Sequence, residues 1–460
     1  MTSNLPEIPL AEIVTIKGGK RLPAGKNLQS IPSKHPYIRV RDVGQRSLPR
    51  EGIEYVPDDV FPSISRYIVQ RNDVVLSIVG TIGALSIVDS FYDYASLTEN
   101  CVKLTGLDYY DALYLYYYLS SSIGQQEISQ GTVGAVQPKL PIYNIEKIKV
   151  LWPEDKDRRK RIAAVLGELD DKIDLNHRIN QTLEAMAQAI FKSWFVDFEP
   201  VKAKIAAKQQ GRAPLRAAMT AISGKPDAEL DALPPEQYEQ LATTAALFPD
   251  ELEESELGEI PKGWAFQSAE TLAEVGIGKT PPRKEPQWFT EGEGDWRWVS
   301  IKDMGASGVF QQRSSEFLTA DAVSRFNVRV VPDRTVLLSF KLTIGRVAIT
   351  DGPMVTNEAI AHFKLPSDGV ISSEYLYLYL KGFDYSILGS TSSIADAVNS
   401  KTIREMPIIV ASRDLIDKFT KSVAPLFEEM RNRQNEIASL GATRDALLPK
   451  LLSGEIEVPV

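Results

Sequence analysis

Two glycine-containing polar loops are the stretches of this chain whose residue types could contact a nucleic acid. The first runs from Gln130 to Lys139, where Gly permits close approach while Gln, Thr and Lys can bind bases or phosphates. The second runs from Gly389 through Lys401 and has a similar composition. Each loop alone also fits an ordinary polar surface loop. Because the loop occurs twice, before the same predicted element, we favour the binding interpretation.

Two shorter turns combine glycine with basic residues. Gly276-Ile277-Gly278-Lys279-Thr280 resembles the end of a P-loop, but Ala273 replaces the glycine that begins that motif, and Pro281-Pro282 follow where a helix must start. The counterpart Lys17-Gly18-Gly19-Lys20-Arg21-Leu22-Pro23 does not fit the motif either. We interpret both as basic turns whose amides and lysines can approach a phosphate backbone.

The sequence contains no motif or spacing typical of a common catalytic site. Acidic residues are plentiful, so two-carboxylate chemistry stays open, but no spacing favours it. His occurs three times at distant positions and Cys once, so no nucleophile triad or Cys-rich metal site can be argued. There is no Asn-Pro-Pro-Tyr or Asp-Pro-Pro-Tyr motif, and no Pro-Asp followed by an acid-x-Lys pair of the kind found in nuclease cores. We predict a binding protein with no catalytic residues and no bound metal or cofactor.

Length and charge limit the class of protein further. A chain of 460 residues is too long for one ordinary domain, and 43% hydrophobic with 25% charged residues is a globular composition. The net charge of −9 opposes a simple DNA-coating role, although residues 1–50 hold nine Lys or Arg against three acids. One cysteine and no evident signal peptide or membrane span predict a cytoplasmic location.

The sequence contains the same domain twice. Arg41-Asp42-Val43-Gly44 recurs as Lys302-Asp303-Met304-Gly305, and Thr81-Ile82-Gly83 recurs as Thr343-Ile344-Gly345. Val74-Val75-Leu76-Ser77 and the Tyr-rich segment from Tyr114 to Leu119 recur in the same order, always 257 to 262 residues later. A collinear series with so long a period indicates two copies of one domain.

Each copy ends in a long helical pattern with a heptad seam. The four-three spacing predicts two helices of about 40 residues, each about 60 Å long. Every seam position of the second helix is 257 beyond a heptad position of the first, with Leu451 matching Trp194, so we predict that the two helices pair with each other rather than packing separately. We predict an antiparallel coiled coil, which would relate the two copies by a pseudo-two-fold. The seam comprises Ile162, Leu166, Leu169, Ile173, Asn176, Asn180, Leu183 and Ile190 in the first helix, and Phe419, Val423, Leu426, Met430, Ile437, Leu440, Leu447 and Leu451 in the second.

The part of each copy that precedes the long helix is predicted to be an α+β domain with short strands and many turns. We expect the Tyr-rich helices to be core, while four aromatics between Phe191 and Phe198 fit a core or a partner interface. The predicted domains are a first recognition domain at 1–150, a helix at 151–199, an Ala/Glu/Pro-rich linker with short helices at 200–262, a second recognition domain at 263–410 and a helix at 411–454.

Over nearly its whole length the chain resembles the specificity subunits of type I restriction–modification systems. The features that carry the resemblance are the duplicated domain, the long helix after each copy and the paired Thr-Ile-Gly motifs. Three segments add to it: Phe191-Lys192-Ser193-Trp194-Phe195, Leu257-Gly258-Glu259-Ile260-Pro261-Lys262-Gly263-Trp264 and Leu447-Leu448-Pro449-Lys450-Leu451-Leu452-Ser453-Gly454. The recognition domains of this family vary, so base-reading residues transfer poorly.

The resemblance implies two target-recognition domains that each read one half of an asymmetric bipartite site in double-stranded DNA. The paired helices would act as a ruler, and two methyltransferase subunits, with restriction subunits in some systems, would dock on them. S-adenosylmethionine would bind the methyltransferase, and ATP and Mg would bind a restriction subunit, so this chain would hold no cofactor. It would be the non-catalytic member of the complex.

On this basis we expect DNA contacts from polar and basic residues in both copies. The candidates are Lys20, Arg21, Arg39, Arg41, Thr81, Gln130, Thr132, Gln137 and Lys139 in the first domain, and Lys279, Arg283, Lys284, Lys302, Thr343, Ser390, Thr391, Asn399 and Lys401 in the second. Two alternatives remain open from the residues. One is a non-catalytic two-module scaffold that does not bind DNA, and the other is a self-contained methyltransferase or nuclease, against which the missing motifs argue.

Overall fold

The computed structural model describes residues 6–388 and 398–459, which form two compact units. Unit 1 holds the described residues of Met1–Asp174 and Ile437–Val460, and unit 2 holds those of Leu175–Glu436. Two long helices, α5 (Lys156–Phe195) and α15 (Arg413–Ser453), each contribute to both units. Each unit therefore contains one predicted recognition domain together with one part of each long helix.

The recognition domain of unit 1 has short strands and short helices. The sequence predicts short strands at Ile8-Pro9-Leu10 and Tyr37-Ile38-Arg39-Val40. In the structure the first ends at Pro9 because Leu10 begins a helix, and the second ends at Ile38, after which Val40–Asp42 form a 3-10 turn. Its helices are α1 (Leu10–Ile13), α2 (Tyr109–Ser120), α3 (Ser122–Gly131) and α4 (Ile142–Ile145). Its strands are β1 (Glu7–Pro9), β2 (Thr15–Gly18), β3 (Pro36–Ile38), β4 (Glu54–Tyr55), β5 (Val74–Ser77), β6 (Leu85–Ile87), β7 (Ser96–Leu97), β8 (Cys101–Thr105) and β9 (Lys149–Leu151).

The strands of unit 1 form three small sheets. One sheet has the order β2-β8-β5-β6, the second has the order β4-β3-β7, and β1 pairs with β9. β5 and β6 are buried along their whole length, which explains why Asp73–Val88 reads in the sequence as two apolar runs broken by glycines. Helix α2 packs against β5 and β6 of the first of these sheets.

Unit 2 repeats this arrangement after a helical insert. Its helices are α6 (Glu199–Gln209), α7 (Pro214–Ser223), α8 (Asp227–Leu230), α9 (Pro235–Ala246), α10 (Ala269–Leu272), α11 (Ile301–Ala306), α12 (Ala320–Arg325), α13 (Ser373–Gly382) and α14 (Ser400–Arg404). Its strands are β10 (Leu252–Ser255), β11 (Gly258–Pro261), β12 (Ala265–Ser268), β13 (Glu274–Ile277), β14 (Phe289–Glu291), β15 (Trp296–Val299), β16 (Phe310–Gln311), β17 (Glu316–Leu318), β18 (Val336–Ser339), β19 (Val347–Thr350), β20 (Val355–Thr356), β21 (Ile360–Lys364) and β22 (Pro407–Val410).

The two recognition domains have the same sheet topology. β13-β21-β18-β19 in unit 2 repeats β2-β8-β5-β6, with β16 added at its edge, and β17-β15-β20 repeats β4-β3-β7, with β14 added. β12 pairs with β22 as β1 pairs with β9. This confirms the predicted fold class of two similar α+β domains, each followed by a long helix.

The tyrosines of α2 and α13 join these helices to the last strand of each domain. Tyr114 and Tyr118 donate hydrogen bonds to the carbonyls of Leu151 (2.7 Å) and Lys149 (3.1 Å) in β9. In α13, Tyr375 and Tyr379 donate to Ile409 (2.7 Å) and Pro407 (2.6 Å) in β22. Their rings fill the core while their hydroxyl groups satisfy strand carbonyls, so the repeated tyrosines are structural.

The two long helices pair in antiparallel orientation within each unit. In unit 1, Leu448, Leu451 and Leu452 near the end of α15 join the core that contains Ile162 and Leu166 near the start of α5. In unit 2, Phe419 near the start of α15 packs edge-on against Phe195 near the end of α5, with ring centroids 5.0 Å apart. The predicted antiparallel pairing is therefore confirmed, and α5 begins at Lys156 rather than at residue 151 because β9 runs to Leu151.

The predicted seam residues lie on the inner faces of the helices. None of the sixteen is exposed; Ile162, Leu166, Asn176, Phe419, Val423, Met430 and Leu451 are buried and the others are half-buried. In unit 2, the Asn176 side chain donates to Glu436 (2.9 Å) and accepts from Arg433 (3.2 Å), while Asn180 donates to the Met430 carbonyl (3.3 Å). The polar residues of the seam thus form specific hydrogen bonds, as residues that fix a register do.

The segment between the first helix and the second domain is a folded insert. Helices α7 to α9 enclose a small core that includes Ala218, Met219 and Leu230, and β10 pairs with β11 as a hairpin. The aromatic segment before it is core rather than surface: Phe191, Trp194 and Phe195 are each less than 5% exposed. These three side chains pack around Phe419 within unit 2.

Candidate nucleic-acid interface

In unit 1, several strands end at the same edge of the two main sheets. Gly18 at the end of β2 pairs with Val102, and Ser77 at the end of β5 pairs with Cys101. Ile38 at the end of β3 lies beside Leu97, where β7 ends. The loops that follow these strands must therefore leave from one edge. We call residues 18–22, 39–44, 78–83, 97–100 and 130–140 the loop edge of unit 1.

The first basic turn lies on this edge, beside the segment from Leu97 to Glu99. The Lys20 amide donates to the Leu97 carbonyl (2.7 Å), and the Arg21 Nε lies 2.6 Å from Glu99 Oε1. The Arg21 side chain is 78% exposed, so this ion pair orients the guanidinium without covering it. Lys20 and Arg21 thus present positive charge to solvent.

The turn that contains Thr81 and the polar loop from Gln130 to Lys139 are brought together on the same edge. Val79 forms an antiparallel bridge with Lys139, and the Leu140 amide donates to the Ile78 carbonyl (3.0 Å). Gln130, Gln137, Lys139 and Thr81 are exposed. Thr132 differs, because its hydroxyl donates to the Ile128 carbonyl (2.9 Å) at the end of α3 and its side chain is half-buried.

Arg39 and Arg41 occupy different environments on this edge. The Arg39 guanidinium is half-buried; it contacts Asp42 (3.1 Å), pairs with Glu54 and donates to the Gly52 carbonyl (3.0 Å). Burial opposes its charged form, but these partners outweigh burial and raise the pKa of Arg39. This geometry gives Arg39 the role of a structural cross-link. Arg41 is exposed, with Asp42 and Glu54 at 3.8 and 3.6 Å.

Unit 2 has an equivalent edge. Ile277 at the end of β13 pairs with Ala361, Ser339 at the end of β18 pairs with Ile360, and Val299 at the end of β15 pairs with Thr356. The loops that follow these strands therefore lie at the same edge as the segment between β20 and β21. We call residues 278–284, 300–305, 340–345 and 357–359 the loop edge of unit 2.

Most candidates of the second domain lie on this edge and are exposed. Lys279, Lys284, Lys302 and Thr343 are all exposed to solvent. Arg283 lies over the rings of Phe289 (4.2 Å) and Trp298 (4.5 Å) and pairs with Glu316 at 2.6 and 2.9 Å. Hydrogen bonding to Glu316 raises the pKa of Arg283, and the aromatic faces fix its direction.

The remaining candidates of the second domain have other placements. Asn399 is the N-cap of α14, where its side chain accepts from the amides of Lys401 (2.9 Å) and Thr402 (3.2 Å). This is a helix-capping role, for which Asn is a favoured residue. Lys401 is exposed, with Glu405 3.7 Å away one turn later. Ser390 and Thr391 lie outside the described residues.

Two glycines allow the basic turns to pass close to the neighbouring backbone. A Cβ on Gly19 would lie 2.1 Å from the Thr98 carbonyl oxygen, and one on Gly278 would lie 2.2 Å from the Asn357 carbonyl oxygen. In unit 2 the chain continues into Pro281-Pro282 with no helix at this point, which agrees with the exclusion of a P-loop. The glycines therefore serve close backbone packing at each loop edge.

The repeated Thr-Ile-Gly motif forms one turn in both units. The Ser77 hydroxyl donates to the Thr81 carbonyl and accepts from the Ala84 amide (2.9 Å). The Ser339 hydroxyl donates to the Thr343 carbonyl (2.6 Å) and accepts from the Arg346 amide (3.0 Å). Gly83 and Gly345 both adopt φ near +90°, a conformation that favours glycine. The motif thus builds the turn, while each threonine side chain faces solvent at its tip.

The structure also reveals residues on these edges that the sequence did not single out. Leu342 stands at the tip of the turn after β18, next to the exposed Lys341, and Val136 is exposed in the polar loop of unit 1. An isolated apolar residue in a loop carries no motif, so its exposure could be recognised only from the fold. The one signal in the sequence is that Leu342 aligns with Gly80 of the first copy.

Some candidate chemistries have no site among the described residues. Over residues 6–388 and 398–459, no group of three His, Cys, Asp or Glu side chains is arranged to hold a metal ion. No helix in that part of the chain is long and apolar enough to cross a membrane. His362 is buried in β21 and faces Thr356, with Nε2 and Oγ1 2.5 Å apart, so its role is structural.

Comparison with known proteins gives a consistent assignment. The model of the type I restriction modification DNA specificity domain matches residues 3–185 and again residues 261–413. The HindI type I restriction enzyme specificity subunit of Haemophilus influenzae is 35% identical over 334 residues, covering 69% of this chain and 71% of that protein. The MjaIX specificity subunit of Methanocaldococcus jannaschii is 25% identical over 354 residues, covering 75% and 69%. The crystal structure of an S subunit from M. genitalium shares the fold, with a TM-score of 0.51, 15% identity and coverage of 98% and 97%.

Proposed function

We propose that this chain, which belongs to the type I restriction modification DNA specificity family, reads an asymmetric bipartite site in double-stranded DNA. It is a specificity subunit, the DNA-selecting and non-catalytic part of a type I restriction–modification system. In our proposal, the loop edge of each unit reads one half of the site.

The observation that carries this proposal is that both units have the same strand and turn architecture but different side chains on their loop edges. The strands and the Ser-closed turn are repeated in both units, whereas the side chains on the loop edges differ. Unit 1 presents Gln137 and Lys139 beside its turn, and unit 2 presents the stacked Arg283 with Lys279. Exposed amide and cationic groups are the side chains that contact base edges and phosphates. Two different surfaces on one scaffold fit a site with two unlike halves.

The proposed partners are two methyltransferase subunits and, where the system is complete, restriction subunits. The name of the Haemophilus relative, a specificity subunit of a restriction enzyme, supports a multisubunit assembly. We assign S-adenosylmethionine to the methyltransferase, and ATP and Mg to the restriction subunit. Such an assembly would act in the cytoplasm. Because this chain carries a net charge of −9, the partners would supply part of the grip on DNA phosphates.

The first test is to sequence modified bases in genomic DNA from host cells with and without this chain. The proposal predicts a split motif that is methylated on both strands and that disappears when the chain is absent. A motif that persists without the chain would assign the specificity to another protein and contradict the proposal.

A second test uses the purified chain and whatever assembles with it. The proposal predicts that a methyltransferase co-purifies and that DNA binding weakens as salt rises, since cations on the loop edges replace counterions. Absence of both a methyltransferase and salt-dependent DNA binding would instead favour a scaffold that does not bind DNA.

A further inference from the structure

Leu342 has an unusual backbone and an unusual exposure at the same time. Its φ of +62° lies in the left-handed region, which glycine tolerates and leucine rarely adopts. Its side chain is 91% exposed, so packing within the described part of the chain does little to offset the strain. A strained, exposed apolar residue is an observation from which a binding role can be inferred.

The first copy shows that the fold does not require a leucine here. Gly80 is the equivalent residue in the turn after β5, and it adopts the same left-handed region with φ of +84°. In both units the turn is closed by the same serine hydroxyl, Ser77 or Ser339. The scaffold therefore accepts glycine without strain, and the leucine of unit 2 serves something other than folding.

The turn that carries Leu342 belongs to the loop edge of unit 2. The amide of Phe340 donates to the Ala359 carbonyl (3.0 Å), and the Lys279 amide donates to the nearby Thr356 carbonyl (2.9 Å). Leu342 lies between the exposed side chains of Lys341 and Thr343. A lysine can bind a phosphate and a threonine can hydrogen-bond a base, but a leucine can recognise only an apolar group.

We propose that Leu342 is a specificity-determining residue, which contacts the C5-methyl group of a thymine in the half-site read by unit 2. The thymine methyl is the apolar feature that a base pair presents in the major groove. The proposal rests on the function proposed above. It also assigns this contact to one half-site only, because unit 1 has Gly80 at the same place and offers no side chain there.

The test compares the parent and Leu342→Gly, each purified as the assembly that forms in host cells, by selecting binding sites from a randomised duplex library. We expect the variant to lose preference for one thymine by about tenfold, the effect of one lost base contact, while the other half of the motif is unchanged. Its thermal unfolding midpoint should equal or exceed that of the parent, because glycine relieves the strained φ. Leu257→Ala, at another exposed leucine, is the control and should leave the motif unchanged.

A chemical substitution tests the methyl contact itself. Uracil in place of the selected thymine removes only the C5-methyl group, and it should weaken parent binding about as much as Leu342→Gly does. It should have no effect on binding by the variant. Equal sensitivity of parent and variant to uracil would overturn the methyl contact.

Failure of the inference and failure of the proposed function give different results. If the parent selects a split motif and Leu342→Gly selects the same motif with the same preference, Leu342 is not a reading residue. If the parent assembly selects no motif, the proposed function itself is wrong, and the inference fails with it.

Discussion

Some residues on the loop edges are exposed and available to contact DNA, whereas others hold the fold together. The sequence distinguishes these two roles only in part. Exposed candidates such as Lys20 and Lys279 follow a glycine-rich turn, so their placement could be predicted from local composition. Arg39 could not be judged in this way, because its partner Glu54 is fifteen residues away and meets it only through the pairing of β3 with β4. Asn399 resembled a base-reading residue, but it caps a helix that local sequence did not predict.

The two close-packed glycines give a direct test of the loop edges. Gly19→Ala and Gly278→Ala would each place a Cβ about 2 Å from a backbone carbonyl oxygen, and each should destabilise its own unit by about 3 kcal/mol. Hydrogen exchange resolved by peptide would show faster exchange in unit 1 for the first variant and in unit 2 for the second. Gly441→Ala is the matched control, since nothing lies within 4 Å of its added Cβ in α15, and it should stabilise by about 1 kcal/mol. Equal protection in parent and Gly19→Ala would refute the close approach.

His362 makes the stability of unit 2 depend on pH. Burial, with a smaller contribution from Arg329, lowers the pKa of His362 to about 3. In the unfolded chain the pKa is about 6.5, so the unfolded state binds a proton first as the pH falls. The contribution to stability is therefore complete above about pH 6.5 and is lost progressively towards pH 3.

The variant His362→Gln isolates this effect, because Gln can still bond Thr356 but does not titrate. Between pH 7 and pH 5, the parent should lose about 2 kcal/mol of unfolding free energy more than the variant. Denaturant unfolding at the two pH values, monitored in unit 2, measures the difference. The same loss in both proteins would mean that His362 is protonated in the folded state.

Among the elements, the long helices were the most predictable and the short strands the least. A heptad seam is a local pattern repeated over about ten turns, so the sequence alone places Ile162 and Phe419 on the inner faces of their helices. Strands such as β7, with two residues, have too few positions for an alternating pattern, and β1 ends after Pro9 because Leu10 turns into a helix. Tertiary pairing rather than local preference sets those boundaries.

The helix pair differs between its two ends, and the difference can be tested. In unit 1, Arg444 pairs with the buried carboxylate of Asp170 (2.6 Å), which also accepts from the Tyr117 hydroxyl (2.6 Å). At the equivalent positions 257 residues away, unit 2 has the buried residues Ala187 and Phe427. Arg444→Met should cost about 2 kcal/mol, because it leaves a buried charge with one partner.

The double variant Asp170→Phe with Arg444→Ala copies the apolar arrangement of unit 2. It should recover most of the loss, since a buried ion pair can often be replaced by apolar residues without cost. Denaturant unfolding of the parent, Arg444→Met and the double variant would measure both effects. A double variant less stable than Arg444→Met would show that unit 1 cannot accommodate the apolar pairing.

At the scale of the whole molecule, the two units share one topology but carry different side chains on their loop edges. We therefore predict that each unit reads its own half of the DNA site. Gln137→Ala removes an amide from the edge of unit 1, and Thr343→Ala removes a hydroxyl from the edge of unit 2. Each should reduce preference at one base by about tenfold, each in a different half of the motif. Because the two positions belong to different units, we expect their effects to add, so the double variant should lose about a hundredfold in total affinity.

Binding-site selection with the parent, both single variants and the double variant would measure these effects. A single variant that alters both halves would contradict independent reading. Arg39→Lys offers a contrast, since it should lower stability through its lost partners before it alters the motif.

Unit 1 is completed by residues from the far end of the sequence, and this has a consequence during synthesis. Leu448, Leu451 and Leu452 belong to the core of unit 1, although the ribosome adds them only after all of unit 2 has been made. The domain that emerges first therefore waits, with apolar surface uncovered, until the last part of α15 arrives. A chain stopped early would present that uncovered surface to chaperones and proteases. The order of translation thus ties the survival of the first recognition domain to completion of the second.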